Sequence, residues 1–187
     1  MLTHRFDDAL AHASRLHRQQ RRKGSGIPYI AHLMSVSALV LEHGGDEDQA
    51  IAGLLHDAVE DQGGLEAARD IEARYGARVA RIVLACSDSD DGQKAPWKTR
   101  KLDYLGSLAM KDADAVLVTA CDKLHNATAI LTDLRSDGPA VFDRFTAGRE
   151  GTLWYYRELA DRLSERLPGP LTERLRDTVE RIVAEAA

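Results

Sequence analysis

The chain has 187 residues and carries 25 Lys and Arg against 30 Asp and Glu, which gives a formal net charge of −5. This length predicts a single domain over residues 1–187, and the acidic balance argues against a broad nucleic-acid-binding surface. No apolar run approaches the roughly 18 residues that a membrane span requires, and the N-terminal residues lack the apolar core of a signal peptide. We therefore expect a cytoplasmic protein that binds neither nucleic acid nor membrane.

Helical periodicity dominates the predicted elements. Aromatic residues make up only 5% of the chain, and Ala, Leu, Arg and Glu dominate, which favours helix over sheet. A first amphipathic helix ends near His17, and a second is predicted from about His32 to His43. Asp46 is placed to cap a third helix that reaches Asp61. Further helices are predicted at 65–75, 78–86, 97–108 and 112–134, from 139 onward, and after 170. The sequence predicts an all-α fold.

Two features between these helices carry separate expectations. The stretch SDSDDGQKAP (87–96) is predicted to be a polar loop. Cys86 and Cys121 each lie in an apolar run, which predicts small buried residues in a reducing compartment and not a disulfide framework.

The stretch LLHDAVED places His56, Asp57, Glu60 and Asp61 in the last turns of the predicted third helix. Like charges at this spacing repel by roughly 0.2–0.5 kcal/mol per pair, and carboxylates near a helix C-terminus oppose the helix dipole. A solvated polar face would explain the pattern without a ligand, whereas a bound cation would offset the repulsion. Gly53 lies on the same face and would leave room for a ligand.

Two distant residues favour the cation. His32 belongs to the apolar face of the second helix, where a histidine with ordinary core partners is the commoner explanation. Asp122 follows the apolar run AVLVTAC and shares a helical stripe with it, so we expect this carboxylate to be at least partly buried. Burial of an ionised carboxylate costs many kcal/mol unless it is paired or binds a metal.

Two imidazoles and two carboxylates form the resulting set, which is His32, His56, Asp57 and Asp122. Such a mixed nitrogen and oxygen site suits Mn²⁺, Fe²⁺ or Zn²⁺. The set predicts a metal site between helices, with Glu60 and Asp61 left over as acid–base groups beside it.

Three motifs carry a resemblance to a known family. RRKGSGIPYIAH (21–32), LLHDAVED (54–61) and CDKLHN (121–126), in this order, resemble the hydrolase domain of the RelA/SpoT proteins within the HD superfamily of metal-dependent phosphohydrolases. The likeness covers most of residues 5–135, and GREGTLWYYREL (148–159) is similar to a segment of the stand-alone bacterial small alarmone hydrolases. We expect no additional synthetase or regulatory domain.

The resemblance implies a compact helical HD fold and an activity in the stringent response. That activity is the removal of pyrophosphate from the 3′ position of guanosine tetra- and pentaphosphate or adenosine analogues, typically with Mn²⁺. The implied metal ligands are His32, His56, Asp57 and Asp122. The implied acidic pair that activates or positions water is Glu60 and Asp61. The implied substrate contacts are Arg22, Lys23, Lys98, Asn126 and Arg149.

Some features leave alternatives open. Gln62 and His125 depart from residues common in the family, which affects nucleotide preference more than chemistry. The basic runs near Lys23 and Lys98 would attract an anionic nucleotide, yet a solvated surface explains them too. Another HD-type phosphatase, acting on a deoxynucleoside monophosphate or an NADPH-type cofactor, would share the His-Asp pair, and a degenerate HD domain would bind nucleotide without turnover. The aromatic run 154–156 fits either a core or a homo-oligomer interface.

Overall fold

A computed structural model of the chain describes residues 1–87 and 95–187. Within these residues the chain is helical, and the only strand-like pairing is an isolated bridge between Arg21 and Pro28. The predicted all-α class is confirmed. Most of the predicted polar loop at 87–96 lies outside the described residues. None of the described helices is both long enough and apolar enough to cross a membrane.

The helices in chain order are α1 (His4–Leu16), α2 (Ile30–Glu42), α3 (Glu47–Leu55), α4 (Gly64–Tyr75), α5 (Ala77–Cys86), α6 (Trp97–Ser107), α7 (Ala113–Asp137), α8 (Gly148–Arg166) and α9 (Pro170–Glu185). A π turn (Val59–Gly63) precedes α4, and a 3₁₀ segment (Gly138–Arg144) follows α7. The described residues form two compact units, 1–87 with 112–122, and 95–111 with 123–187. The single domain predicted from length stays a prediction.

Helix α3 forms the centre of the first unit, where it packs against α1, α2 and α5. Its sequence explains this position, because residues 50–55 are all apolar or glycine and all are buried. Asp46 caps the helix as predicted. Its side chain accepts a hydrogen bond from the Gln49 backbone, and the Gln49 side chain accepts one from the Asp46 backbone.

Close packing of α3 on α2 depends on Gly53. A Cβ atom at this position would lie 3.1 Å from Cα and 3.3 Å from N of Ser37, which are backbone atoms of α2. The Ser37 hydroxyl also donates a hydrogen bond to the Ala50 carbonyl, at 2.8 Å. The backbone of α2 therefore fills the space beside Gly53, and the expectation that this glycine leaves room for a ligand is wrong.

The third helix is shorter than predicted, because α3 ends at Leu55 and not at Asp61. The π turn follows, and Gly64 closes it with φ of 55° and a backbone N–H that donates to the Val59 carbonyl. Only glycine adopts this backbone conformation without strain. His56 is 2% exposed, so the solvated-face alternative is wrong for this residue.

The N-terminal part of α7, through Asp122, belongs to the first unit and is tied to α5. Arg78 lies 2.9 Å from an Asp114 carboxylate oxygen and 2.6 Å from one of Asp46. Both cysteines are free. Cys121 is buried, and burial raises the pKa of its thiol to about 12. Cys86 is only half-buried, which corrects the expectation that both are buried.

In the second unit α8 packs against α6, α9 and the 3₁₀ segment. The Trp97 ring lies edge-on to Trp154 and Tyr155, at centroid distances of 6.1 and 6.2 Å. Tyr155 is buried, so this aromatic run contributes to the core of that unit. The helix predicted from Pro139 is two elements, because the chain turns extended at Phe145 and α8 begins only at Gly148, which adopts a left-handed φ of 59°.

We predict that Gly53→Ala lowers the free energy of unfolding by about 1–3 kcal/mol, because the added methyl group overpacks the α2–α3 contact. The matched control is Gly106→Ala in α6, where a Cβ atom meets nothing within 4 Å. Gly106→Ala should raise the free energy of unfolding by up to about 1 kcal/mol, because alanine has the higher helix propensity. Urea denaturation measures both, and equal stability of the two variants would contradict the packing role of Gly53.

Candidate metal centre and active site

Four side chains converge in the first unit, and they are the four that the sequence singled out. The Nε2 atom of His32 lies 3.2 Å from Oδ1 of Asp122 and 3.6 Å from Oδ2 of Asp57. The Nε2 atom of His56 lies 3.0 Å from the same Asp57 oxygen and 3.6 Å from the same Asp122 oxygen. Helices α2 and α7 supply His32 and Asp122, and the residues directly after α3 supply the His-Asp pair.

Burial makes the charges of this cluster interdependent. His32, His56 and Asp122 are 1%, 2% and 7% exposed, as expected for His32 and Asp122 from their apolar stripes. Burial disfavours the charged imidazolium of His56, but the carboxylates of Asp57 and Asp122 outweigh it and raise the pKa of His56 well above its ordinary value. Burial likewise opposes the charged form of Asp57, yet the neighbouring imidazoles hold its pKa far below the usual range. Positive charge is what the cluster requires.

The donor atoms fit a divalent cation. Nδ1 of His56 lies 2.9 Å from the Gly53 carbonyl, which can only accept, so Nδ1 carries a proton and Nε2 is the atom that faces the cluster. That Nε2 atom is buried and makes no hydrogen bond with any described residue, although Asp57 Oδ2 is near. Ligand atoms that share one ion at about 2.1 Å lie about 3 Å apart. The four histidine-to-aspartate separations are 3.0–3.6 Å, and His32, His56 and Asp57 offer ligand atoms that all lie within 4.8 Å of one another.

Tyr29 holds the Asp57 carboxylate in place. Its hydroxyl donates to Oδ2 of Asp57 at 2.6 Å. Burial and the nearby Asp57 charge raise the pKa of Tyr29, so the hydroxyl stays protonated and remains a donor. Tyr29 precedes α2 and stacks on the buried ring of His17, with 5.4 Å between ring centroids. A partner of this kind fixes the orientation of a metal-binding side chain.

The acidic pair occupies the π turn. Glu60 and Asp61 are exposed, in contrast to the buried cluster that precedes them. The Asp61 backbone N–H donates to the Asp57 carbonyl at 2.9 Å, which connects the turn to the cluster of His32, His56, Asp57 and Asp122. The Asp61 carboxylate accepts a hydrogen bond from the Gln20 side chain, with 2.8 Å between Nε2 and Oδ2.

Arg22 and Lys23 lie in a tight loop between α1 and α2. The Arg22 backbone N–H donates to the Ile27 carbonyl at 2.8 Å, and the Gly26 N–H donates back to the Arg22 carbonyl at 3.1 Å. Gly26 takes a left-handed φ of 69°, which suits glycine. Lys23 is exposed and Arg22 is half-buried, so the Lys23 ammonium can meet an anionic ligand.

The other three predicted substrate contacts lie in the second unit. Lys98 is exposed at the start of α6, and its ammonium lies 5.2 Å from the centre of the Trp154 ring. Asn126 is half-buried on α7, and Arg149 is exposed at the start of α8.

Several polar residues near the acids were missed as site residues. Tyr29 lies within the motif RRKGSGIPYIAH, and Gln62 stands where the family commonly has another residue. His17 lies on the apolar stripe of the first helix, and no pattern around Gln20 indicates a site residue. Their contacts join residues about 28 to 45 positions apart, a distance over which periodicity has no reach.

Comparison with known proteins gives the family. The HD domain family model matches residues 9–153. A Synechocystis protein named as a probable guanosine-3′,5′-bis(diphosphate) 3′-pyrophosphohydrolase is 36% identical over 121 residues, which is 63% of this chain and 16% of that protein. The human protein MESH1, named as a guanosine-3′,5′-bis(diphosphate) 3′-pyrophosphohydrolase, is 35% identical over 64% of this chain and 65% of its own length. The chain thus spans less than two thirds of both relatives.

A further relative and a solved structure match this chain over a larger share of both lengths. Drosophila MESH1, which carries the same enzyme name, is 33% identical over 72% of each chain. A solved structure described as a metazoan ortholog of SpoT that hydrolyses ppGpp has a TM-score of 0.78 and 28% identity, over 97% of this chain and 96% of its own. The family model covers well over half of the chain and contains all the residues of the buried cluster. The chain therefore belongs to the HD domain family.

Proposed function

We propose that this protein is a metal-dependent hydrolase that removes pyrophosphate from the 3′ position of guanosine 3′,5′-bis(diphosphate), its pentaphosphate form or adenosine analogues. The observation that carries the proposal is the convergence of two imidazoles and two carboxylates, with an exposed acidic pair that follows His56 and Asp57 in the chain. The enzyme names of the Synechocystis, human and Drosophila relatives support this substrate class.

We assign His32, His56, Asp57 and Asp122 as ligands of one divalent cation, most simply Mn²⁺. When bound there, the cation would supply positive charge at the phosphoryl group and would lower the pKa of a nearby water. The protein side chains orient the site, since the Gly53 carbonyl fixes the His56 ring and the Tyr29 hydroxyl fixes Asp57. A cytoplasmic location and a role in the stringent response belong to the same proposal.

The reaction proceeds at the phosphorus next to the 3′ oxygen. Glu60 and Asp61 hold the attacking water in line and accept its proton. The new bond forms between the water oxygen and phosphorus while the bond between phosphorus and the 3′ oxygen breaks. That oxygen takes a proton, so guanosine diphosphate and pyrophosphate leave as products.

Substrate attraction in a net acidic protein must come from local basic groups. We assign Arg22 and Lys23, on the loop before α2, to the phosphates of the nucleotide. We assign Lys98, Asn126 and Arg149 as further substrate contacts. Exposed ammonium and guanidinium groups suit this role, because charge-assisted hydrogen bonds to phosphate are stronger than neutral ones.

A product assay tests the proposal. The purified protein is stripped with chelator, Mn²⁺ is restored, and guanosine 3′,5′-bis(diphosphate) is added, with Asp57→Asn as the control. We expect metal-dependent release of guanosine diphosphate and pyrophosphate by the wild type and neither product from the control. Release of orthophosphate would instead place the protein with the other HD-type phosphatases. No turnover, with metal and nucleotide both bound, would make it a sensor.

The acidic pair gives a second prediction. Glu60→Gln should lower kcat by about 100-fold or more, because it removes a proton acceptor, and it should leave Mn²⁺ affinity unchanged. Glu66→Gln, at an exposed glutamate near the start of α4, is the matched control and should retain the wild-type kcat. Full kcat in Glu60→Gln would exclude the assigned role.

The raised pKa of His56 gives a pH dependence for metal binding. Below that pKa the metal-free cluster holds a proton on His56, and Mn²⁺ must displace it to reach Nε2. The Mn²⁺ affinity should therefore rise about tenfold per pH unit and level off above the His56 pKa, with about one proton released. Calorimetry at several pH values, in buffers of different ionisation enthalpy, measures both quantities. Binding without proton release would contradict this assignment.

A further inference from the structure

Gln20 makes a set of contacts that neither the motifs nor the proposed chemistry uses. Its amide nitrogen donates to Oδ2 of Asp61 at 2.8 Å. Its amide oxygen lies 2.7 Å from Nδ1 of His17 and accepts a hydrogen bond from Nε2 of Gln62 at 2.5 Å. The side chain is thus bonded at both ends, although it is only half-buried.

These contacts leave Gln20 one orientation. A carboxylate only accepts, so the NH₂ group must face Asp61 and the oxygen must face His17. The oxygen in turn only accepts, which places the ring proton of His17 on Nδ1. His17 is 2% exposed, and its Nε2 atom has no hydrogen-bond partner among the described residues, as this tautomer allows. With Nδ1 protonated, the Gln62 amide nitrogen, which lies 3.4 Å away, does not hydrogen-bond to His17, and its bond is to the Gln20 oxygen.

Backbone hydrogen bonds connect Gln20 to Tyr29, whose side chain contacts Asp57 of the buried histidine–aspartate cluster. The Tyr29 N–H donates to the Gln20 carbonyl at 3.0 Å, and the Gln20 N–H donates to the His17 carbonyl at 3.0 Å. Gln20 and Tyr29 therefore face each other at the base of the loop that carries Arg22 and Lys23. The Tyr29 side chain donates to the Asp57 carboxylate, and the Gln20 side chain donates to the Asp61 carboxylate.

We propose that Gln20 is a positioning residue for the reaction, which fixes the Asp61 carboxylate and is itself held by His17 and Gln62. The inference rests on the role proposed above for Asp61. An exposed aspartate on a turn samples several rotamers, and a fixed hydrogen bond restricts it to the one that faces the water. Gln62 then has a function of its own, since it supplies the second donor that holds the Gln20 amide.

The test compares steady-state kinetics of Gln20→Met with those of the wild type. Methionine keeps the length of the side chain but provides no N–H donor. We expect kcat to fall about tenfold, since this is the effect of losing one charge-assisted hydrogen bond of about 1.4 kcal/mol. KM and Mn²⁺ affinity should stay at wild-type values, because the Gln20 side chain contacts none of the four proposed metal ligands. Tm should fall modestly, because the buried His17 ring loses its hydrogen-bond acceptor.

Four further variants separate this role from a structural one. Gln19→Met changes an exposed neighbour in the same segment and should match the wild type in every measurement. Gln62→Met should lower kcat less than Gln20→Met, and the double variant should equal Gln20→Met alone. Tyr29→Phe should instead weaken Mn²⁺ binding, because it acts through Asp57.

Two results would overturn the inference. One is a wild-type kcat in Gln20→Met, and the other is a loss of kcat accompanied by an equal fold-loss of Mn²⁺ affinity. The wild type is measured in the same assay, on whichever nucleotide it turns over. A failure of the proposed substrate therefore appears in the wild type, whereas a failure of the Gln20 role appears only in the ratio of variant to wild type.

Discussion

The mutual dependence of buried carboxylates and imidazoles is the constraint around which the first unit is built. Asp122 lies on an apolar stripe of α7, where an uncompensated negative charge would be strongly destabilising. His32 and His56 face it from different elements, and without a metal the raised pKa of His56 supplies the missing positive charge. The same arrangement could hold a cation, since His32, His56 and Asp57 offer ligand atoms within 4.8 Å of one another. The need to neutralise buried charge thus explains both the folded cluster and its capacity to hold a metal.

The position of α3 follows from that constraint. The helix must deliver His56 inward, so its residues 50–55 are all apolar or glycine, and it lies between α1, α2 and α5. Gly53 permits the approach of α2 that brings His32 within reach of Asp57 and Asp122. Its carbonyl also orients the His56 ring. One small residue therefore serves packing and site geometry together, through its missing side chain in the first case and its backbone in the second.

The sequence predicted most helices and the four clustered residues, because those depend on local periodicity and on the cost of placing an acid on an apolar stripe. Asp46 as a cap and Asp122 as a buried acid are examples. It did not predict the end of α3 at Leu55, since LLHDAVED continues a helical pattern and the break depends on tertiary contacts. Tyr29 and Gln20 were missed for the same reason, because their partners are contributed by a distant turn.

The segment after α3 carries two carboxylates with different surroundings. The hydrogen bond from the Asp61 N–H to the Asp57 carbonyl is of the α-helical i to i−4 type, so the two residues lie about one turn apart. Here Asp57 is half-buried against the imidazoles and Tyr29, whereas Asp61 is exposed and bonded to Gln20. The difference comes from their neighbours, since Tyr29 and Gln20 are contributed by the segment before α2. The two carboxylates thereby acquire different neighbours, and with them the different tasks proposed for them, metal binding for Asp57 and proton acceptance for Asp61.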